Sequence, residues 1–340
     1  LRRAPAGRPS TPRPRSLEDI GGTMNSTLAR LVVKRLGSGA LTLLIVSLVV
    51  FTITALLPGD AAQALLGQEA TPETVAALRA QFGLDQPAYF RYFQWLGGLL
   101  IGDPGTSLAN GMAVADLIGG RLPNTLKLAA IAALVAVPLA LTIGILSAMF
   151  RGSLFDRTMN TAAVAAVSVP EFLIASLAVL LFAVHLQWLP ALSHVSEINS
   201  FSDFLRAYTM PVLTLCCGLV AQMARMTRAA VIDQLSSPYV EMAMLKGARP
   251  IRVVLTHALP NAVGPIANAV ALSLSYLLGG VIIVESIFHY PGIATLMLDA
   301  VATRDMPLVQ ACAMLFCLGY MMLVLVADVS AIVSNPRLRK

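Results

Sequence analysis

The sequence predicts an all-α membrane protein with six transmembrane helices, both termini cytoplasmic and a long outer segment between the first two spans. Three observations predict it. Of the 340 residues, 57% are hydrophobic and only 12% charged, where a soluble domain averages about 25% charged. Six apolar runs come near or beyond the roughly 20 residues that a helix needs to cross a bilayer. Lys and Arg gather in every second connecting segment, as the positive-inside rule requires of a multi-pass protein.

Residues 1–23 carry Arg2, Arg3, Arg8, Arg13 and Arg15 against Glu18 and Asp19, among Pro and Ser and with no apolar period. Such a composition cannot bury a core and predicts disorder. Two readings fit it: translation starting at Met24, or a flexible cytoplasmic extension. Residues 24–57 form the N-terminal region and span one. The apolar run after Arg35 is too long for a signal h-region and lacks a small-residue cleavage site behind it, so it reads as a span.

The six spans fall at residues 36–57, 126–150, 158–184, 208–223, 262–284 and 307–333. The fourth is short and carries Pro211. Arg30, Lys34 and Arg35 precede span one, and Arg151 and Arg157 lie between spans two and three. Arg225, Arg228, Lys246, Arg249 and Arg252 lie between four and five, and Arg337, Arg339 and Lys340 follow six. These segments alternate, so all four are cytoplasmic. The tail is 334–340, and the transmembrane core is 125–333.

The outer segment, 58–124, is too long for a bare loop. Thr71-Pro72-Glu73 reads as a helix start and Phe82-Gly83 as its end. A second helix, 87–100, carries Tyr89, Phe90, Tyr92, Phe93 and Trp95, a density of aromatics suited to the membrane–water interface. It is either a cap or dock over the outer mouth or an anchor for the fold. Gly102-Asp103-Pro104-Gly105 is a turn.

The longest polar interruption of the second half is 236–265. It reads as a short helix, a glycine break and a second short helix. Ser237 suits an N-cap and Pro238 the first helical position. Glu241 lies where the helix dipole favours an acid. Gly247 can end the helix in a left-handed conformation, and Pro250 can open the next. This makes it an amphipathic element outside the membrane, on which another protein can push.

Little else points to chemistry. No glycine loop ending in Lys-Ser or Lys-Thr is present to cradle phosphate, so the chain binds no ATP in that manner. His185, His194, His257 and His289 are scattered, which argues against a metal site. Cys216, Cys217, Cys312 and Cys317 lie in apolar runs and read as buried structural thiols. No nucleophile–base pair suggests an enzyme. A helix-turn-helix for nucleic acid does not fit a loop pinned between two spans. Glu171, directly after Pro170 in span three, is the ionisable residue at membrane depth that could line a solute path and meet a cationic group. Glu285 and Asp328 lie near span ends, where solvent or a basic neighbour can satisfy them. A proton-coupled transporter would show several buried carboxylates and paired broken helices, and here the energy is expected from a partner instead.

From residue 28 onward the sequence resembles the inner-membrane permease subunits of bacterial ABC importers of the dipeptide, oligopeptide and nickel family. The motifs that carry the resemblance are LPGD at 57–60, FGLDQP at 82–87, GDPGTS at 102–107 and RLPNTLKLA at 121–129. RGSLFDR at 151–157, SVPEF at 168–172 and RMTRAAVIDQL at 225–235 follow. VESIFHYPGIA at 284–294, RDMPLVQA at 304–311 and NPRLR at 335–339 close the set. The resemblance implies the type I ABC importer permease fold. It implies a second homologous permease, two ABC ATPase subunits that bind ATP and Mg, and a periplasmic solute-binding protein. It implies no cofactor in this chain and import of a peptide, or of nickel, an opine or a sugar. The stretch 236–265 is similar to the EAA loop, whose coupling helix seats in an ATPase groove. Tyr239, Val240, Glu241, Ala243, Leu245, Lys246, Gly247 and Ala248 would carry that contact. Pro238, Glu241 and Met244 depart from the residues usual at those positions of the loop.

Overall fold

Pro170 decides the least regular feature of the architecture. It has no N–H to give to a helix, and its ring drives Val169 out of the helical region, to φ −93° and ψ 126°. Span three is therefore two helices bent by 100°, where the apolar run alone predicts one straight span over 158–184. The computed structural model describes residues 17–56, 71–193 and 198–334, with 62, 66 and 195 singly between them; described side chains start at Val32 and end at Ser330. Residues 1–16, the LPGD and NPRLR motifs, His194 and the C-terminal basic residues lie outside the described residues.

In chain order the helices are α1 (Leu17–Leu56), α2 (Pro72–Gln81), α3 (Ala88–Leu100), α4 (Val114–Met149) and α5 (Leu154–Ser168). They continue with α6 (Glu171–His185), α7 (Phe201–Leu235), α8 (Pro238–Leu245) and α9 (Pro250–Ile287). The last are α10 (Ile293–Ala302) and α11 (Met306–Ser334). Among the described residues, α1, α4, α7, α9 and α11 are each long and apolar enough to cross a membrane, and the bent pair α5–α6 has the length and composition of either a broken sixth span or a re-entrant loop. Extended pairing is confined there to one bridge, Thr106 with Ala113.

Three boundaries differ from the sequence reading. Helix α1 begins at Leu17, inside the tail whose composition predicts disorder. The fourth span is not short: α7 has 35 residues, capped by Ser200, whose Oγ accepts the Asp203 N–H at 3.1 Å. Pro211 sits inside it. The Ala207 carbonyl that Pro211 leaves without a helical donor receives the Ser193 hydroxyl at 3.0 Å. The third difference is in α9, where no separate second short helix follows the glycine break. Pro250 opens a helix that runs without a stop into span five.

The core lies between α4, α7 and α9. Leu128, Ala132, Ala136 and Ala140 recur every fourth residue on α4 and are fully buried. A Cβ on Gly144, one turn further, would stand 2.7 Å from the Ala224 carbonyl oxygen and 2.7 Å from Thr227 Cβ. Small residues thus let the two backbones close, the usual basis of helix association where lipid removes the hydrophobic driving force. Cys216 is buried in this packing and Cys312 in a second cluster with Val114 and Ile293; Cys217 and Cys317 are half-buried, and all four are free thiols.

At the end of the bundle that carries α2 and α3, the outer segment is fastened to the spans. Thr71 caps α2 and Gly83 ends it at φ +66°. Tyr92 of α3 packs on Phe51 of α1, with ring centroids 5.3 Å apart, and its hydroxyl lies 2.9 Å from Ser47 Oγ. In the GDPGTS turn, Ser107 donates its hydroxyl to buried Asp305 and Leu108 its N–H, the latter at 3.2 Å.

The same end holds a buried polar knot. Glu285 is fully buried. Its carboxylate accepts the Thr125 hydroxyl at 2.6 Å and the Ala294 N–H at 2.8 Å. Tyr290 donates to the Asn124 carbonyl at 2.8 Å and lies 3.1 Å from the Tyr208 hydroxyl. Glu285 is therefore satisfied chiefly by protein hydrogen-bond donors and not by solvent, with the positive charge of Arg121 as the basic neighbour that its place near a span end suggests. Asp328 also has a basic neighbour: Arg35 Nη2 donates to its Oδ1 at 3.0 Å.

Candidate functional site

Helix α8 is set by its two ends. Pro238 occupies the first helical position and Glu241 the first turn. Ser237 holds the N-cap position, but its hydroxyl donates back to the Gln234 carbonyl at 2.5 Å and caps nothing. At the other end Gly247 has φ +82°. The Gly247 N–H reaches the Met244 carbonyl at 2.9 Å and the Ala248 N–H the Ala243 carbonyl at 3.2 Å. This bond pair is a Schellman motif, which needs a left-handed residue where Gly247 stands.

One side chain seats α8 on the bundle. Val240 is fully buried against Val253 and Ala258 of α9, with Leu235 of α7 and Ala248 beside it. Tyr239 also reaches back, its hydroxyl donating to Gln234 Oε1 at 3.0 Å. Ala243 and Ala248 are half-buried; Tyr239, Glu241, Leu245, Lys246 and Gly247 are exposed. Leu245 is 76% exposed, and Met242 and Met244 are about half exposed beside it. Glu241 and Lys246 make no ion pair among the described residues. The eight residues singled out from the sequence thus lie together between the ends of α7 and α9: Tyr239, Val240, Glu241, Ala243 and Leu245 on the short helix, and Lys246, Gly247 and Ala248 in the turn that ends it.

Next to this end, Arg228 of α7 grips Asp156 of α5. The loop between α4 and α5 is thereby tied to the helix that leads into α8.

Glu171 lies elsewhere, at the first position of α6 just past the break. It borders an open cavity of about 320 Å³. One wall is a face of α7: Leu215, Gly218, Leu219 and Gln222. Another wall is a face of α9: Ser273, Tyr276 and Leu277. Both sets follow the i, i+3, i+4 spacing of a single helical face. The carboxylate stands against Gly280, where a Cβ would meet its Oε2 at 2.7 Å. Among the described residues it has no hydrogen-bond or ionic partner. Sequence reasoning found Glu171 but missed Gln222, Ser273 and Tyr276. Their only signal was a polar or small residue recurring on one face of an otherwise apolar span.

Comparison with known proteins relates the chain to a lineage. Residues 140–340 match the family model described as "Binding-protein-dependent transport system inner membrane component". Residues 28–129 match the one described as "Binding-prot-dependent transport system membrane comp, N-term". Similar curated proteins include the glutathione transport system permease protein GsiC of Escherichia coli (strain K12) and its counterpart in Salmonella choleraesuis (strain SC-B67). Each is 38% identical over 308 residues, covering 91% of this chain and 98% of the relative.

Proposed function

Because the chain belongs to the family of binding-protein-dependent transport system inner membrane components, we propose that it forms half of an import path for glutathione or a similar small peptide, driven through α8 by cytoplasmic ATPases. Membership of the family makes it a non-catalytic permease subunit of an ABC importer in the inner membrane. The finer reading is ours. The curated relatives named above are glutathione permeases, which favours a peptide-like solute over nickel, an opine or a sugar. A second permease would supply the other half of the path, and a periplasmic binding protein would deliver the solute. ATP and Mg would sit on two partner ATPases, since this chain carries no phosphate-cradling loop. Glu171 would line the path.

The observation that carries the coupling role is the state of α8. Anchored through Val240, it leaves Tyr239, Met242 and Leu245 exposed, beside the charges of Glu241 and Lys246, which have no ion-pair partner among the described residues. An apolar face rimmed by charges suits insertion into a groove of a soluble partner. Closure of the ATPases on ATP would shift α8, and with it α7 and α9, biasing the bundle between inward- and outward-facing states. The orientation that this requires, with both termini and α8 cytoplasmic, agrees with the distribution of Lys and Arg.

The test is labelling of Leu245→Cys, with the four native cysteines replaced, by a membrane-impermeant maleimide in inside-out vesicles. The label is expected to attach when the ATPases are stripped off and to be excluded when they are bound. Equal labelling in both states, or labelling only from the opposite side, would falsify the assignment.

A further inference from the structure

We propose that the cavity at the break of span three binds the protonated amine of the passing solute, with Glu171 as its counter-charge. The inference rests on the reading that this chain lines the import path, and adds what the path selects.

A carboxylate at membrane depth is costly unless something compensates it. Asp156, Glu285, Asp305 and Asp328 all have protein donors. Glu171 has none among the described residues. Its position is nonetheless built. Gly280 of α9 lies so close that a Cβ would meet Oε2 at 2.7 Å and Oε1 at 3.0 Å, and Gly218 of α7 would meet Oε1 at 3.4 Å. Two helices thus present bare backbone to one carboxylate and leave its remaining face to the cavity.

The chemistry of the lining points to a cation. Among the described residues no Lys, Arg or His borders the cavity, and its other polar side chains are Gln222, Ser273 and Tyr276. Ser273 is 1% exposed and its hydroxyl has no partner among them, so a bound donor or acceptor would relieve it. The volume of about 320 Å³ lies at the lower end of the roughly 300–1,000 Å³ usual for small-molecule sites, enough for one end of a peptide. The otherwise apolar walls give little further affinity for a charged group, which suits a site that must also let its solute go.

The experiment uses the complete importer in proteoliposomes. A matched pair of peptide solutes, amine free and amine acetylated, is first shown by calorimetry to load the binding protein. Uptake rates are then measured at saturating loaded binding protein. Glu171→Gln is expected to slow the free-amine solute about tenfold, the value of one charge-assisted hydrogen bond. The acetylated solute should move at an unchanged rate, and Glu171→Asp should recover part of the loss. If both solutes slow equally, Glu171 holds the structure or pairs with the second permease, and the proposal is wrong. If neither slows, it is wrong as well. If the wild-type importer moves neither solute, the import reading fails, and the inference with it.

Discussion

Arg228 and Asp156 meet in a forked pair, Nε to Oδ1 at 2.6 Å and Nη2 to Oδ2 at 2.8 Å. Asp156 also accepts the Gly152 N–H at 2.9 Å. The pair joins the first turn of α5 to α7, about two turns before α7 ends. Arg228→Lys keeps the charge and loses the fork. Arg228→Ala leaves a carboxylate that is only 4% exposed without its main donor, at a cost of about 1.5–3 kcal/mol. Thermal midpoints of the purified protein should fall in the order wild type, Lys, Ala. An alanine variant as stable as wild type would show that the clamp contributes nothing.

Gly247 offers a cleaner test of α8. A Cβ there meets nothing within 4 Å, so only φ +82° resists substitution. A β-branched residue in that region is strained by about 1–2 kcal/mol. Gly247→Val should insert and assemble with the partner permease, yet hydrolyse more ATP per solute imported. Gly247→Asn, which tolerates the left-handed region, should stay coupled. The ratio of ATP hydrolysed to solute accumulated decides; a normal ratio for the valine variant means that the glycine break is no hinge.

Gly292 presents the opposite case, with ordinary backbone and no space. A Cβ on it would lie 2.0 Å from Glu285 Oε1 and 2.2 Å from Cδ. Gly292→Ala must displace a buried carboxylate that holds Thr125 and Ala294, and overpacking of this kind costs about 1–3 kcal/mol or more. Reduced yield of folded protein from membranes and a lower thermal midpoint are expected. Wild-type values for both would mean that the polar knot rearranges freely.

The sequence made the ends of α2 and α8 legible because their end signals are local chemistry: Thr71, Pro238 and Gly247 each act within a few residues. The polar knot was not legible. Thr125 and Glu285 are separated by 160 residues, and neither RLPNT nor HYPG shows by itself that it meets the other. Hydropathy misjudged α7 for another reason. It follows the apolar run, and α7 continues as a helix past Arg225 and Arg228, where that run has ended. It also averaged over Pro170, so a bend of 100° left no mark on the apolar run. Glu171 stood out as a charge in an apolar stretch, but its cavity could be seen only once α7 and α9 were placed beside it.

The most direct test of the account is solute uptake into proteoliposomes, with the complete importer and ATP on one side of the comparison and this chain alone under a proton gradient on the other. The account predicts accumulation only when the ATPases, the partner permease, the binding protein and ATP are all present. Accumulation by this chain alone, driven by the proton gradient, would contradict it.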